Sequence, residues 1–123
     1  MKPKKILVVD DSDLMHRMYG MMLRGGEIVA ARDGEEALAS IVGDPGIDLV
    51  LLDINMPRMN GFEVLRELGV RGLVPALRVI VVTTEGRDED AQRGLAAGAA
   101  AYLTKPFRAE EVRAAIAALP ESE

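Results

Sequence analysis

The first apolar run of the chain, Ile6 to Val9, ends on Asp10 and Asp11, with Asp13 two residues further on. A later run ends on Asp53, another on Thr83, and a fourth is followed closely by Lys105. Carboxylates brought together repel, and their pKa values rise unless a partner relieves them. A hard divalent cation does so. Mg²⁺ takes oxygen ligands, keeps several waters and is commonly held by one or two carboxylates plus phosphate oxygens. Asp10, Asp11 and Asp53 with one Mg²⁺ and the Lys105 ammonium balance to zero charge, a pocket open to a phosphoryl group that bare carboxylates would reject. Asp53 is also a candidate nucleophile able to form an aspartyl-phosphate. The metal and Lys105 would then stabilise the charged oxygens during transfer, and the Thr83 hydroxyl would hydrogen-bond one of them.

The elements that must position these groups are short β-branched runs alternating with helical patterns. Strand-like runs are Lys5–Val9, Glu27–Ala31, Asp48–Asp53, Arg78–Thr83 and Ala100–Leu103. The first, third and fourth are nearly continuous aliphatic, as expected of strands covered on both faces. Helices are expected from Asp13 to about Arg24, stopping at Gly25-Gly26, and over Gly34–Val42, Gly61–Leu68, Asp88–Ala97 and Ala109–Leu119. Five β-then-α units in a row predict an α/β fold, a parallel sheet with helices on both faces and right-handed crossovers. In such a sheet, ligands bind outside the carboxyl ends of the strands. Asp10, Asp11, Asp53, Thr83 and Lys105 all fall there.

Composition narrows the class. At 123 residues the chain is one domain, and with 49% hydrophobic but 3% aromatic residues its core is Val, Ile, Leu, Met and Ala. No apolar run approaches the roughly 18 residues of a membrane span, and no signal-peptide pattern opens the chain. A net charge of −5 argues against direct contact with a nucleic-acid backbone. The absence of cysteine excludes disulfides and thiolate metal sites, and a single histidine argues against a transition-metal centre. The expectation is a soluble cytoplasmic protein, ending in a polar tail at 120–123.

With these residues in place, the chain resembles the receiver domain of bacterial two-component response regulators over its whole length, 1–123. The matching stretches are "VVDDS" at 8–12, "DLVLLDINMPRMNGFEVL" at 48–65, "VIVVTT" at 79–84 and "GAAAYLTKPF" at 98–107. Any one is weak, but four in order at these spacings are specific. The resemblance implies a flavodoxin-like, doubly wound five-stranded sheet in the order 2-1-3-4-5 with five helices. It implies phosphotransfer to Asp53 from a histidine kinase or phosphotransfer protein. Mg²⁺, or Mn²⁺ as a substitute, would be held by Asp11, Asp53 and the backbone carbonyl of Asn55, with Asp10 acting mainly through water. Thr83 and Tyr102 match the family's coupled switch pair, Lys105 its phosphate-contacting lysine, and 88–119 its output surface towards a downstream protein. A cis Lys105–Pro106 bond is also implied. A monomer is expected, with a phosphorylation-dependent dimer through 88–119 as a variant of that picture.

Each residue also has a plainer reading. Asp11 or Ser12 could cap the first helix, and Asp13 reads as a cap or first-turn acid. Pro57 reads as turn chemistry and Tyr102 as a partly buried aromatic. Met15, Met18, Met21 and Met22 fall at helical spacing and read as core, while His16 reads as solvent-exposed. Two departures from the family stand out. Thr84 occupies a place usually held by a small residue, where its branch would narrow access to the phosphoryl group; rates slower than in a Thr84→Ala variant are expected. Asn55 and Glu85 match a polar pair of chemotaxis-type regulators that influences the attacking water in dephosphorylation, and these two features pull in opposite directions. The connection "GVRGLVPAL" at 69–77 is apolar and is expected to pack on the third helix, with an exposed partner patch as the alternative.

Three rival functions compete with this reading. A haloacid-dehalogenase-type phosphatase also uses an aspartyl nucleophile, but Asp53-Ile54-Asn55 follows the third strand and lacks the second acid that serves as general acid. A flavin module would need hydroxyls and backbone N–H groups around phosphate, and "DDSD" is electrostatically wrong for that. A receiver used only as a non-phosphorylated protein-binding scaffold would not need the intact acid set. The reading that stands is a phosphoacceptor switch that catalyses only its own phosphorylation and dephosphorylation and is otherwise no enzyme.

Overall fold

The computed structural model describes residues 1–123 except 24, 57–58, 85–87 and 121–123. Its elements alternate without exception: β1 (Lys5–Val9), α1 (Asp13–Met22), β2 (Glu27–Ala31), α2 (Gly34–Gly43), β3 (Leu49–Asp53), α3 (Gly61–Val70), β4 (Arg78–Thr84), α4 (Asp88–Ala96), β5 (Ala101–Lys105) and α5 (Ala109–Ala118). The five strands are parallel in the order β2-β1-β3-β4-β5. The order expected from the resemblance is the one observed.

The aliphatic runs form strands because the sheet is covered on both sides, so both sets of alternating side chains are buried. Leu7, Val9, Val50, Leu52, Val79 and Val81 face one core with Ala37 and Ile41 of α2 and Val64, Leu65 and Leu68 of α3. Ile6, Val8, Leu49, Leu51, Ile80 and Val82 face the other, with Tyr19 of α1 and Val112 and Ile116 of α5. Leu73, Val74 and Leu77 of the 69–77 connection pack against the first core, so the packing reading holds for them, while Val70 is 75% exposed.

Three details differ from expectation. α1 ends at Met22, two residues early, where the Leu23 N–H closes on the Tyr19 carbonyl. β4 and β5 run past their aliphatic stretches: Thr83 pairs with Thr104 and Thr84 with Lys105. Ladder pairing extends these strands, and a hydrophobic pattern does not register it. Lys105 is therefore the last residue of β5 rather than part of the following loop. The methionines of α1 also divide. At 100° per residue Met15, Tyr19 and Met22 share the core face, whereas Met18 is half-buried and Met21, on the opposite side, is 73% exposed.

α3 comes close to the end of β3. Asn60 and Glu63 form a reciprocal capping box at its start, and the Gly61 N–H donates to the Ile54 carbonyl at 3.1 Å. A Cβ on Gly61 would meet the Asp53 carbonyl oxygen at 2.7 Å and the Ile54 Cα at 2.8 Å, both backbone. Only glycine lets the helix start this near Asp53. Gly61→Ala is expected to cost about 2 kcal/mol of overpacking in urea denaturation. Gly69→Ala, in the same helix with nothing within 4 Å of its Cβ, is expected to be neutral or to gain up to about 1 kcal/mol of helix propensity. Equal effects would contradict the close approach.

Candidate functional site

Asp10, Asp11 and Asp53 meet at the carboxyl ends of β1 and β3, each offering a carboxylate oxygen within 4.8 Å of the others. Asp10 is 1% exposed and Asp53 6%, while Asp11 faces solvent. Asp10 is fixed at every polar atom. Its N–H donates to the Ala31 carbonyl at 3.1 Å, its Oδ1 accepts from the Ser12 N–H at 2.9 Å, and its Oδ2 accepts from Lys105 Nζ at 2.9 Å. Its carbonyl accepts from His16 Nε2 at 2.7 Å. Asp53 Oδ1 accepts from the Asn55 N–H at 3.1 Å, and Lys105 Nζ lies 3.5 Å from Asp53 Oδ2. The Lys105–Pro106 bond is cis, as the resemblance implies.

The helix cap is settled. Ser12 Oγ accepts from the Met15 N–H and is the N-cap of α1. Asp13 is a first-turn acid paired with Arg32, and Asp11 is left free of capping. No described residue pairs with Asp11.

One ammonium is therefore set among three carboxylates and bonds to two of them, Asp10 and Asp53. Burial raises the Asp53 carboxyl from 3.8 to about 6; the Lys105 charge opposes this and the Asp10 charge adds to it. Burial alone would lower the Lys105 ammonium, but its hydrogen bond to Asp10 and the charges of Asp53 and Asp10 outweigh that and raise it. The opposite end of the sheet shows what a satisfied acid looks like. There Asp44 is held by Lys5 Nζ at 2.8 Å, which lowers its carboxyl, and Asp48 accepts the N–H groups of Lys4 and Lys5. At the carboxyl edge Asp10 is matched in the same way, but Asp53 has the same lysine only at 3.5 Å and Asp11 has no described partner. Oxygen-only donors, close spacing and uncompensated charge are what a hard divalent cation such as Mg²⁺ fits.

Around this cluster the other expected residues take varied positions. Thr83 is buried, and its hydroxyl donates to the Leu103 carbonyl at 3.4 Å, towards β5. Tyr102, on the same strand, is 44% exposed rather than partly buried. Thr84 is exposed, and its Oγ accepts from Asn55 Nδ2 at 3.1 Å, a bond that joins the end of β4 to the loop after β3. Glu85, the other half of the expected polar pair, and Pro57 lie outside the described residues. Beside Lys105, a groove of about 340 Å³ is lined by Met15, Met18, Thr84, Lys105, Pro106 and Phe107.

Two residues near the site were not anticipated there. His16 is half-buried rather than exposed, because the start of α1 turns its side chain back onto the Asp10 carbonyl. Tyr19 is fully buried, its ring centroid 5.8 Å from that of Phe107, and burial followed by the charges of Asp10 and Asp53 raises its phenol above the ordinary value. For both, the spacing from Asp10 along the first two turns of a helix was the available signal.

A sequence model of the response regulator receiver domain matches residues 6–117. The two-component response regulator PhoP of Pseudomonas aeruginosa is 38% identical over 117 residues, covering 94% of this chain and 51% of that protein. The probable transcriptional regulatory protein TcrX of Mycobacterium tuberculosis is 41% identical over 113 residues, 90% of this chain and 47% of that one. The chain thus spans about half the length of these curated relatives. Among solved structures, the chemotaxis protein CheY4 of Vibrio cholerae is similar with a TM-score of 0.83 at 34% identity, covering 93% of this chain and 96% of that one. A putative response regulator from Chloroflexus aurantiacus gives 0.86 at 32% identity, covering 94% and 95%. With its strand order and its acid cluster at the sheet's carboxyl edge, the chain belongs to the response regulator receiver domains, built on the flavodoxin-like fold and serving two-component signalling.

Proposed function

We propose that this receiver is a phosphoacceptor switch in which Asp53 takes a phosphoryl group from the phosphohistidine of a histidine kinase or a phosphotransfer protein. The observation that carries the reading is a cluster of three carboxylates, two of them buried, with one ammonium that bonds to Asp10 and Asp53 and leaves Asp11 without a described partner. Asp53 Oδ would attack phosphorus, forming the acyl phosphate as the P–N bond breaks and the imidazole leaves with its electron pair. Asp10, Asp11, Asp53 and the backbone carbonyl of Asn55 are the residues to hold Mg²⁺, or Mn²⁺ in its place. When bound, the ion supplies charge neutralisation for the phosphoryl oxygens. Lys105, already against Asp53, would contact one of those oxygens and hold Asp10 in place.

The output follows from the β4–β5 edge. Thr83 is bonded to the β5 backbone, and turning its hydroxyl to the phosphoryl group would break that bond. Tyr102, outward now, would move inward with it, reshaping 88–119 towards a protein partner. Within this reading residues 1–123 act as the receiver unit with 120–123 as a polar tail, in the cytoplasm, as a monomer that phosphorylation could pair through 88–119. Chemotaxis-type signalling and a phosphorelay step are both consistent with it. The scaffold and phosphatase readings gain nothing from the geometry, since a scaffold has no use for a strained acid cluster.

Incubation with acetyl phosphate is the direct test. Intact-mass spectrometry is expected to show a single phosphoryl adduct on wild type that requires Mg²⁺ and is absent from Asp53→Ala. An adduct that persists in Asp53→Ala would refute the assignment.

Thr84 refines the expectation. Its hydroxyl engages the Asn55 amide; that bond would keep the amide from orienting a water towards the acyl phosphate, and the methyl would narrow access. Thr84→Ala is expected to turn over faster than wild type by roughly three- to tenfold, the kinetic equivalent of one hydrogen bond. Thr84→Ser, which keeps the hydroxyl, is expected to stay near wild type. If Thr84→Ser is as fast as Thr84→Ala in a single-turnover decay assay, the methyl and not the bond sets the rate.

A further inference from the structure

His16 is the chain's one histidine, and the phosphoryl chemistry above makes no use of it. Its Nε2 lies 2.7 Å from the Asp10 carbonyl oxygen. A carbonyl can only accept, so Nε2 is the donor and carries its hydrogen. The strand ladder cannot fill this position. β1 is paired through Val9 with Ala31, the last residue of β2, and Asp10 lies one residue beyond. Its N–H still reaches the Ala31 carbonyl, but no further residue of β2 follows to serve the Asp10 carbonyl. A carbonyl on a residue 1% exposed would otherwise lack a partner.

The bonded carbonyl belongs to the peptide unit that joins Asp10 to Asp11. That unit is planar and rigid. Fixing its oxygen fixes the plane, and the plane sets where the Asp11 Cα, and hence the Asp11 carboxylate, is carried. Asp10 has three other anchors, on its N–H and both carboxylate oxygens. Asp11 is exposed and no described residue pairs with it, so its placement within 4.8 Å of the other two carboxylates depends on the backbone that carries it.

We propose that His16 is a positioning residue for the cation site: by holding the Asp10 carbonyl it locks the Asp10–Asp11 peptide and presents the Asp11 carboxylate to a divalent cation alongside Asp10 and Asp53. The inference rests on the reading of the acid cluster as a Mg²⁺ site. Partners that orient metal ligands typically contribute ten- to a hundredfold in affinity; a bond to the ligand's backbone belongs at the lower end of that range.

The test compares His16→Gln, which keeps an amide donor at similar reach, with His16→Met, a side chain of nearly the same size without one. Mg²⁺ is titrated calorimetrically into each and into wild type at neutral pH, and the carbonyl carbon-13 resonance of Asp10 is recorded without metal. His16→Met is expected to bind Mg²⁺ roughly tenfold more weakly and to shift the Asp10 carbonyl resonance; His16→Gln is expected to recover most of both. A role confined to stability would lower the melting temperature of the variants and leave Mg²⁺ affinity unchanged, which overturns the proposal. Equal weakening in both variants also overturns it, because size and not the hydrogen bond would then be responsible. If wild type binds no Mg²⁺, the reading of the site falls first and the role of His16 with it. Wild type binding while His16→Met binds equally well removes the His16 role alone.

Discussion

The gathering of negative charge at the carboxyl ends of β1 and β3 is the constraint around which the rest of this structure is arranged. Two of the three carboxylates are buried, and burial favours the uncharged form unless a cation compensates. Lys105 compensates in part, reaching Asp10 at 2.9 Å and Asp53 at 3.5 Å. The remainder is visible in the raised Asp53 carboxyl. A protein selected only to be stable would gain from replacing such a cluster with apolar residues. Its place at the edge where α/β sheets bind their ligands supports the proposal of a site for a visiting charge. The acids at the other end of the sheet, each matched to a lysine side chain or to backbone N–H groups, show that this chain satisfies carboxylates where nothing else is required of them.

The scaffold holds that cluster by backbone means. The rigid β1–β3–β4 centre, aliphatic on both faces, sets the spacing of Asp10 and Asp53. Ser12 caps α1 and turns its N–H to Asp10, and Gly61 lets α3 begin against the Asp53 carbonyl. On the β4–β5 side the strands are paired along their length and Lys105 reaches the acids, while the hydroxyls of Thr83 and Thr84 each make a single bond. A 3.4 Å bond from Thr83 and an exposed bond between Asn55 and Thr84 link the site to β5 and to the loop after β3. In the proposed switch, the charge is held by several bonds at once and the signal leaves through the single bond of Thr83 to β5. A two-state element needs that division, since an input shifts an equilibrium only through contacts that differ between its states.

Much of this was legible from the chain alone. Continuous aliphatic runs between helical patterns fix a parallel sheet, and a parallel sheet fixes where ligands bind, so Asp10, Asp53, Thr83 and Lys105 are gathered at one edge by sequence alone. Strand ends were less legible: Thr104 and Lys105 belong to β5 through ladder pairing, which leaves no mark on hydrophobic periodicity. Side-chain destinations were least legible. Met21 shares its residue type with Met15 and Met22 but not their phase on α1. His16 looked exposed because its position on a surface helix says nothing of a side chain turned back along the axis to a strand-end carbonyl. The bond between Thr84 and Asn55 pairs residues 29 apart in sequence, a separation no local pattern reports.

The proposed switch requires an acid cluster that is electrostatically incomplete without a divalent cation. The most direct measurement is a carbon-13 NMR titration of the Asp53 carboxyl, metal-free and at saturating Mg²⁺. The expected metal-free midpoint is about 6, falling below the usual carboxylate range once Mg²⁺ is present, because a cation beside the carboxylate favours its charged form. An ordinary midpoint near 3.8 in metal-free protein, or a raised midpoint that Mg²⁺ leaves in place, would contradict it.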